Sequence, residues 1–283
     1  MQYTSGQAFR QALETRLRKM SIEQVISIVR LRKQVAFERF MARLITFQDK
    51  AWVLKGGLAM QLRLGSQART TMDIDLLKTS KTGDILRTMR QAAALDLGDW
   101  FKFELSESGD LVEDIYVGQR FHVTSLLDGR TFEEFAVDVG VDDPIIEPLD
   151  CLTFQPTLSF AGISPTKVSA YSKEQQIAEK LHALTRQYAS GTSSRMKDLV
   201  DILLLFDHET IDEQQLIKAI QLTFETRGTH PVPESFPELP LPLARDYGRI
   251  ASELGLRDVD FNSAQKQVGD FLVPALTKIA AEK

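Results

Sequence analysis

The stretch Val53–Leu77, VLKGGLAMQLRLGSQARTTMDIDLL, constrains the fold more tightly than any other part of the chain. Val53 and Leu54 run into the pair Gly56–Gly57, and the LAMQLRL that follows has the composition of a short helix. Residues without side chains let a ligand approach the backbone closely. The N–H groups of a helix opening there favour an anion such as phosphate. Arg69 follows in a loop, and then Met-Asp-Ile-Asp-Leu-Leu. In a strand, alternate residues share a face, so Asp73 and Asp75 point one way and Ile74 the other. Two carboxylates side by side repel unless a cation lies between them, and oxygen pairs of this kind suit Mg²⁺ held together with substrate phosphates. Gly-Gly alone is usually a turn and Asp-x-Asp alone is common. Joined in one strand–helix–strand unit, they point to phosphoryl or nucleotidyl transfer.

Composition narrows the class. The 283 residues are 43% hydrophobic and 26% charged, enough for a real core in one large or two modest domains. The single cysteine, Cys151, excludes an internal disulfide framework and fits a reducing compartment. The start, MQYTSGQAFRQALETRLRKM, lacks a signal peptide's apolar core, and no apolar run is long enough for a bilayer. The expectation is a cytoplasmic protein without membrane partners. The formal net charge is −5, yet residues 1–50 hold ten Lys/Arg against four Asp/Glu. That asymmetry fits a basic arm that meets RNA phosphates, with Arg30, Arg32 and Lys33 as candidates, or a solvated helical face.

Apolar periodicity predicts helices over residues 7–19 and 21–47, the second capped by Ser21 and striped by Ile22, Val25, Ile26, Val29, Val35, Phe37, Phe40, Leu44 and Phe47. Strands are expected at Trp52–Lys55 and Asp73–Leu77, a helix over 79–95, then strands at Trp100–Leu105, Phe121–Leu126 and Phe132–Gly140. In the last of these Asp138 is a lone acid among Phe135, Val137 and Val139, and an acid in an apolar strand needs a reason. Four prolines in residues 142–170 suggest a joint between an α/β half and a helical half. The helix expected over 173–189 has Ser172 and Gln175 in capping-box spacing. It carries Lys180 on the face of Ile177, Leu181 and Leu184, and a lysine there needs a partner such as a triphosphate. His182 turns toward Thr185 and Arg186 and reads as a surface residue. After a short loop, RMKDLVDILLLF begins another helix with Arg195, Lys197, Asp198 and Asp201 in its first turns. Residues 207–227 read as helix and turn, and 228–242, with five prolines, as a connector. Helices near 243–254 and 261–281 end the chain.

Four motifs in this order resemble a known family. Gly56, Gly57, Ala59 and Arg63, then Arg69, Asp73, Asp75 and Leu76, then Glu179, Lys180, Leu181, Ala183 and Leu184, then Arg195, Lys197, Asp198 and Asp201 are similar to the AbiEii/AbiGii (MenT-like) nucleotidyltransferase toxins, within the DNA polymerase β-like nucleotidyltransferase superfamily. The resemblance spans residues 55–201 and fades after about residue 210. It implies an α/β (α+β) fold: a small mixed nucleotidyltransferase-type sheet with N-terminal helices and a helical C-terminal half. The expected domains are an arm over 1–50, a nucleotidyltransferase core over 51–150 and a helical domain over 151–283, with the active site in the cleft between the last two.

By resemblance, Asp138 is the third metal carboxylate beside Asp73 and Asp75, and together they would hold two Mg²⁺ ions. Gly56, Gly57, Arg63, Arg69, Lys180, Arg195 and Lys197 would bind the nucleotide. Lys180 and Asp198 would be required for activity. The implied reaction moves NMP from an NTP, CTP or UTP by family pattern, to the 3′ end of a tRNA with loss of pyrophosphate. The implied setting is a toxin with a separate antitoxin protein. Two other readings stay open from the residues: nucleotidyl transfer to a protein or small-molecule hydroxyl, and a non-catalytic scaffold that only binds RNA or a partner.

Overall fold

The computed structural model describes residues 2–79, 84–113, 116–141, 143–186, 195–256 and 258–281. They form two compact units that interleave along the chain. The first comprises Met1–Leu62, Thr70–Asp142 and Cys151–Ala170, the second Arg63–Arg69, Asp143–Asp150 and Tyr171–Lys283.

The first unit opens with two helices, α1 (Gly6–Gln24) and α2 (Ile28–Phe47). Ser5 caps α1 by accepting from the Ala8 N–H. The expected start of the second helix at Ser21 is incorrect. Ser21 lies inside α1, and its carbonyl accepts the N–H of Val25, which sits in the left-handed region with φ 56°. The chain turns there because Ile22, Val25 and Val29 do not continue the apolar stripe; they are exposed. Phe9, Leu13, Leu17, Val35, Phe37, Phe40 and Leu44 are fully buried. The N-terminal helices are therefore part of the core of this unit.

The strands are β1 (Trp52–Lys55), β2 (Asp73–Lys78), β3 (Phe101–Glu113), β4 (Tyr116–Leu127), β5 (Arg130–Gly140), β6 (Asp150–Thr153) and β7 (Lys167–Ala170). Gly56–Leu64 forms α3 after β1, and Ile85–Ala93 forms α4, capped by Asp84. Part of the helix expected over 79–95 lies outside the described residues. The sheet order is β3-β4-β5-β2-β1-β7-β6. β2 pairs with β5 and β1 with β7 in parallel, whereas β1–β2, β3–β4 and β4–β5 are antiparallel, so the sheet is mixed. The outer hairpin runs further than expected, and β6 and β7 were hidden by prolines: residues 151–170 add strands to the sheet rather than forming only a joint. One face of the sheet is apolar. There Phe37 meets Phe135 edge to face at 5.0 Å, and Phe40 meets Phe103 at 5.3 Å. Phe135, Val137 and Val139 alternate onto this face, which turns Ala136 and Asp138 to the opposite one.

The second unit is mainly helical: α5 (Lys173–Thr185), α6 (Met196–His208), α7 (Glu213–Arg227), α8 (Ala244–Glu253) and α9 (Phe261–Ala281). α5 ends at Thr185 with Arg186 extended, short of the expected residue 189; residues 187–189 lie outside the described residues. Ser172 caps α5 by accepting from the Gln175 N–H. The reciprocal half of the expected box is missing, because the Gln175 amide instead accepts from the Ile146 N–H and donates to the Pro144 carbonyl. α5 packs on α6 and α7, and α9 covers both of those. Among the described residues no helix is long and apolar enough to cross a membrane.

Candidate active site

β2 sets Asp73 and Asp75 on one face and buries Ile74 completely on the other, as alternation requires. Register carries that arrangement sideways. Asp75 lies opposite Lys55 on β1 and Asp138 on β5, and Asp138 lies opposite Arg120 on β4. Directly paired residues share a face. Four neighbouring strands thus present Lys55, Asp75, Asp138 and Arg120 in a row, two acids flanked by a cation at each end. Asp73 joins them one step along β2 and accepts the Thr71 hydroxyl at 2.6 Å.

Gly56 is required twice over. Its φ is +63°, a conformation that side chains rarely take, and a β-carbon there would collide with the Asp75 carboxylate. The group that approaches this backbone closely is therefore Asp75. Gly57 follows, buried in the first turn of α3.

Asp138 is nearly buried, and both its oxygens accept from Arg120: Nε donates at 2.7 Å and Nη2 at 2.6 Å. This pairing shifts the Arg120 pKa upward, first through the Asp138 hydrogen bonds, against its partial burial, and further through the charges of Asp138, Asp73 and Asp75. All three carboxylates act on one guanidinium. Neither Arg120 nor Lys55 stood out in the sequence, because only strand register reveals them.

The donors are hard oxygens of the type Mg²⁺ takes. Among the described residues, however, no group of three His, Cys, Asp or Glu is disposed to hold an ion as it stands. Each Asp138 oxygen accepts one N–H from Arg120. Asp73 and Asp75, on the open face of β2, are the oxygen donors that would face such an ion.

The second unit holds a different ionic cluster. Lys180 Nζ lies 2.6 Å from Asp201 and 3.1 Å from Asp198. Arg69 donates from Nε and Nη2 to Asp201 at 3.1–3.2 Å. Burial would lower the Lys180 pKa, but Asp201 and Asp198 outweigh it and the pKa rises. Burial would likewise raise the Asp201 pKa, but Lys180 and Arg69 pull it down. The partner that the sequence demanded for Lys180 is a pair of carboxylates. Arg195 stands at the start of α6, 3.9 Å from Asp198, and Lys197 points to solvent. Arg63 bonds Asp150 at 2.7 Å and the Tyr171 carbonyl at 3.0 Å. Glu179 takes Arg227 at 2.8 Å.

Two expectations are corrected. His182 is buried: its Nε2 lies 2.8 Å from the Thr229 hydroxyl and its ring packs on Phe224 and His230. Burial first, then the charges of His230 and Arg227, pushes its pKa down to about 3. The polar side chosen from Thr185 and Arg186 is covered by α7 and the segment after it. The cations of α2 are also not a solvated face, whereas Arg16, Arg18 and Lys19 of α1 are exposed. Arg43 is fully buried and, with Arg39, grips Asp99 at 2.7–3.0 Å, while Lys33 pairs with Glu133 and the Glu134 carbonyl. Arg32 pairs with Glu14.

The family model of the nucleotidyl transferase AbiEii toxin of type IV toxin–antitoxin systems matches residues 39–274. Two crystal structures from Helicobacter pylori are similar. JHP933 is 14% identical with a TM-score of 0.46, over 88% of this chain and 94% of that one. A candidate nucleotidyltransferase is 16% identical with a TM-score of 0.46, over 89% and 98%. No curated protein sequence matches.

Proposed function

The chain belongs to the AbiEii nucleotidyltransferase toxin family of type IV toxin–antitoxin systems, and from that premise we propose that it transfers NMP from an NTP to the 3′ end of a tRNA in a Mg²⁺-dependent reaction. The observation that carries the chemistry is the row Lys55–Asp75–Asp138–Arg120 beside the Gly56 turn. Asp73 and Asp75 would hold the metal, with Asp138 joining them, as one ion or two. When bound, the metal supplies an activated acceptor hydroxyl and charge for the departing pyrophosphate. The acceptor oxygen attacks the α-phosphorus and its proton passes to solvent. The bond from the α-phosphorus to the bridging oxygen breaks, and pyrophosphate leaves.

Gly56 and Gly57 offer the backbone N–H groups at the start of α3 to the phosphates. Lys180 and Asp198 are proposed as required residues on the family pattern, with Arg63, Arg69, Arg195 and Lys197 as further sources of phosphate-binding charge. The sharing of Lys180 between Asp198 and Asp201 supports a fixed ammonium rather than a mobile one. CTP or UTP is the proposed donor, and an antitoxin protein the proposed partner in the cytoplasm.

The internal use of Lys33, Arg39 and Arg43 leaves the basic-arm argument for RNA to the cations of α1, among which Arg16, Arg18 and Lys19 are exposed. It therefore favours keeping a protein or small-molecule hydroxyl as the second reading. The test is transfer of label from each NTP in turn to total tRNA with Mg²⁺, with Asp75→Asn alongside. Label in tRNA that the variant loses supports the proposal. Label on protein with none in tRNA selects the second reading, and no transfer to any acceptor overturns both.

A further inference from the structure

Of the two cations that flank the acids in the row, Lys55 is buried. Arg120 differs: its side chain is 47% exposed, while the Asp138 side chain beneath it is 12% exposed. The guanidinium thus sits on the solvent side of its partner, at the end of a flexible stem. It spends two N–H donors on the two oxygens of Asp138. While the fork is in place a metal would have to share each Asp138 oxygen with an N–H of Arg120, against the charge of the guanidinium. Without any cation, three carboxylates on adjacent strands would repel.

Resting on the reading of Asp73, Asp75 and Asp138 as metal ligands, we propose that Arg120 is an exchangeable cation. Its guanidinium holds Asp138 in the free protein, then passes to the phosphates of an arriving metal–nucleotide complex as the metal takes the carboxylate. The same planar fork that matches a carboxylate matches a phosphate. Arg120 is opposite Asp138 in register, so a rotated side chain stays beside the ligands it released. The Arg120 half of the pair faces solvent, so water can take up its N–H groups as it swings away, which lets the exchange proceed without opening the sheet. The repulsion among the acids is thereby relieved when the site is empty, and a phosphate contact is gained when it is loaded.

Metal and nucleotide binding by Arg120→Gln should move in opposite directions. Mn²⁺ alone, titrated by electron paramagnetic resonance, should bind the variant about fivefold tighter than the unmutated protein, the ceiling for an exposed pair. The Mn²⁺ complexes of the α,β-methylene analogues of the four NTPs should bind it more weakly, by about tenfold for a lost charge-assisted phosphate contact. Should Arg120→Gln not fold, Arg120→Lys, which keeps the charge but loses the fork, carries the same two signs with smaller size. Unchanged or weaker Mn²⁺ binding, or unchanged analogue binding, overturns the exchange. Asp75→Asn separates the two levels. If it abolishes Mn²⁺ binding while Arg120→Gln does nothing, only the exchange fails. If it leaves Mn²⁺ binding intact, the metal reading fails and the exchange with it.

Discussion

The two ionic clusters of this protein use the same residue types to different ends. In the helical unit, Lys180 and Asp201 are sealed from solvent, and Arg69 completes the set. On the sheet, Asp138 is covered mainly by the half-exposed Arg120. Buried pairs are costly to break because the survivor stays charged without water, whereas an exposed pair is worth at most about 1 kcal/mol. The helical cluster therefore behaves as architecture and the sheet cluster as a site that can change partners.

The largest expected effect comes from the sheet. Asp75→Asn should lower nucleotidyl transfer by about a thousandfold, the order found when a transition-state charge stabiliser is lost, while thermal unfolding stays within a few degrees of the unmutated protein. Next comes Asp201→Asn, which leaves two buried cations facing one fewer carboxylate. Urea unfolding should show a loss of about 3–5 kcal/mol. If it lost activity alone, with stability intact, the contrast between the clusters would collapse. Gly56→Ala forces a side chain into the left-handed region, costing about 1–2 kcal/mol before the collision with Asp75 is counted. It should be seen first as lost transfer and second as a lowered Tm. Arg120→Gln should change unfolding free energy by less than about 1 kcal/mol.

A further effect is a response to pH that differs in sign between the units. His182 in the helical unit has its pKa depressed to about 3. Between pH 6.5 and 3 the unfolded chain binds the proton and the folded one does not, so stability there falls as pH falls. Glu38 in the sheet unit is raised to about 7, chiefly by burial against the Thr166 N–H bond. Between its ordinary 4.5 and 7 the folded form binds the extra proton, so its contribution falls as pH rises. Hydrogen exchange at pH 5 against pH 7, corrected for intrinsic rates, should show α5 losing protection in acid while α2 gains it.

Local chemistry was readable before the structure. The shared face of Asp73 and Asp75 follows from a period of two, and Ile74 does face the core. Asp138 stands out in the sequence because an acid in FAVDVG needs a reason, and the structure pairs it with Arg120. Lys180 was flagged for the same reason, although the partner is a carboxylate pair. What stayed hidden depends on contacts distant in sequence. Arg120 and Lys55 enter the row only through strand register. β6 and β7 are four residues each amid prolines, too short for periodicity to mark. The pairing of Arg39 and Arg43 is hidden from the sequence because Asp99, their partner, lies more than fifty residues away.

The missing side chain of Gly56 has a consequence for how such a sequence can vary. Its place is filled by the carboxylate of Asp75, so the two positions form a single unit of inheritance. A substitution at 56 is not neutral while 75 is aspartate, and shortening 75 to make room discards the acid. No path of single changes leads from this pair to another without crossing an impaired protein. Selection for a transfer-competent chain from a library randomised at both positions should return glycine and aspartate together.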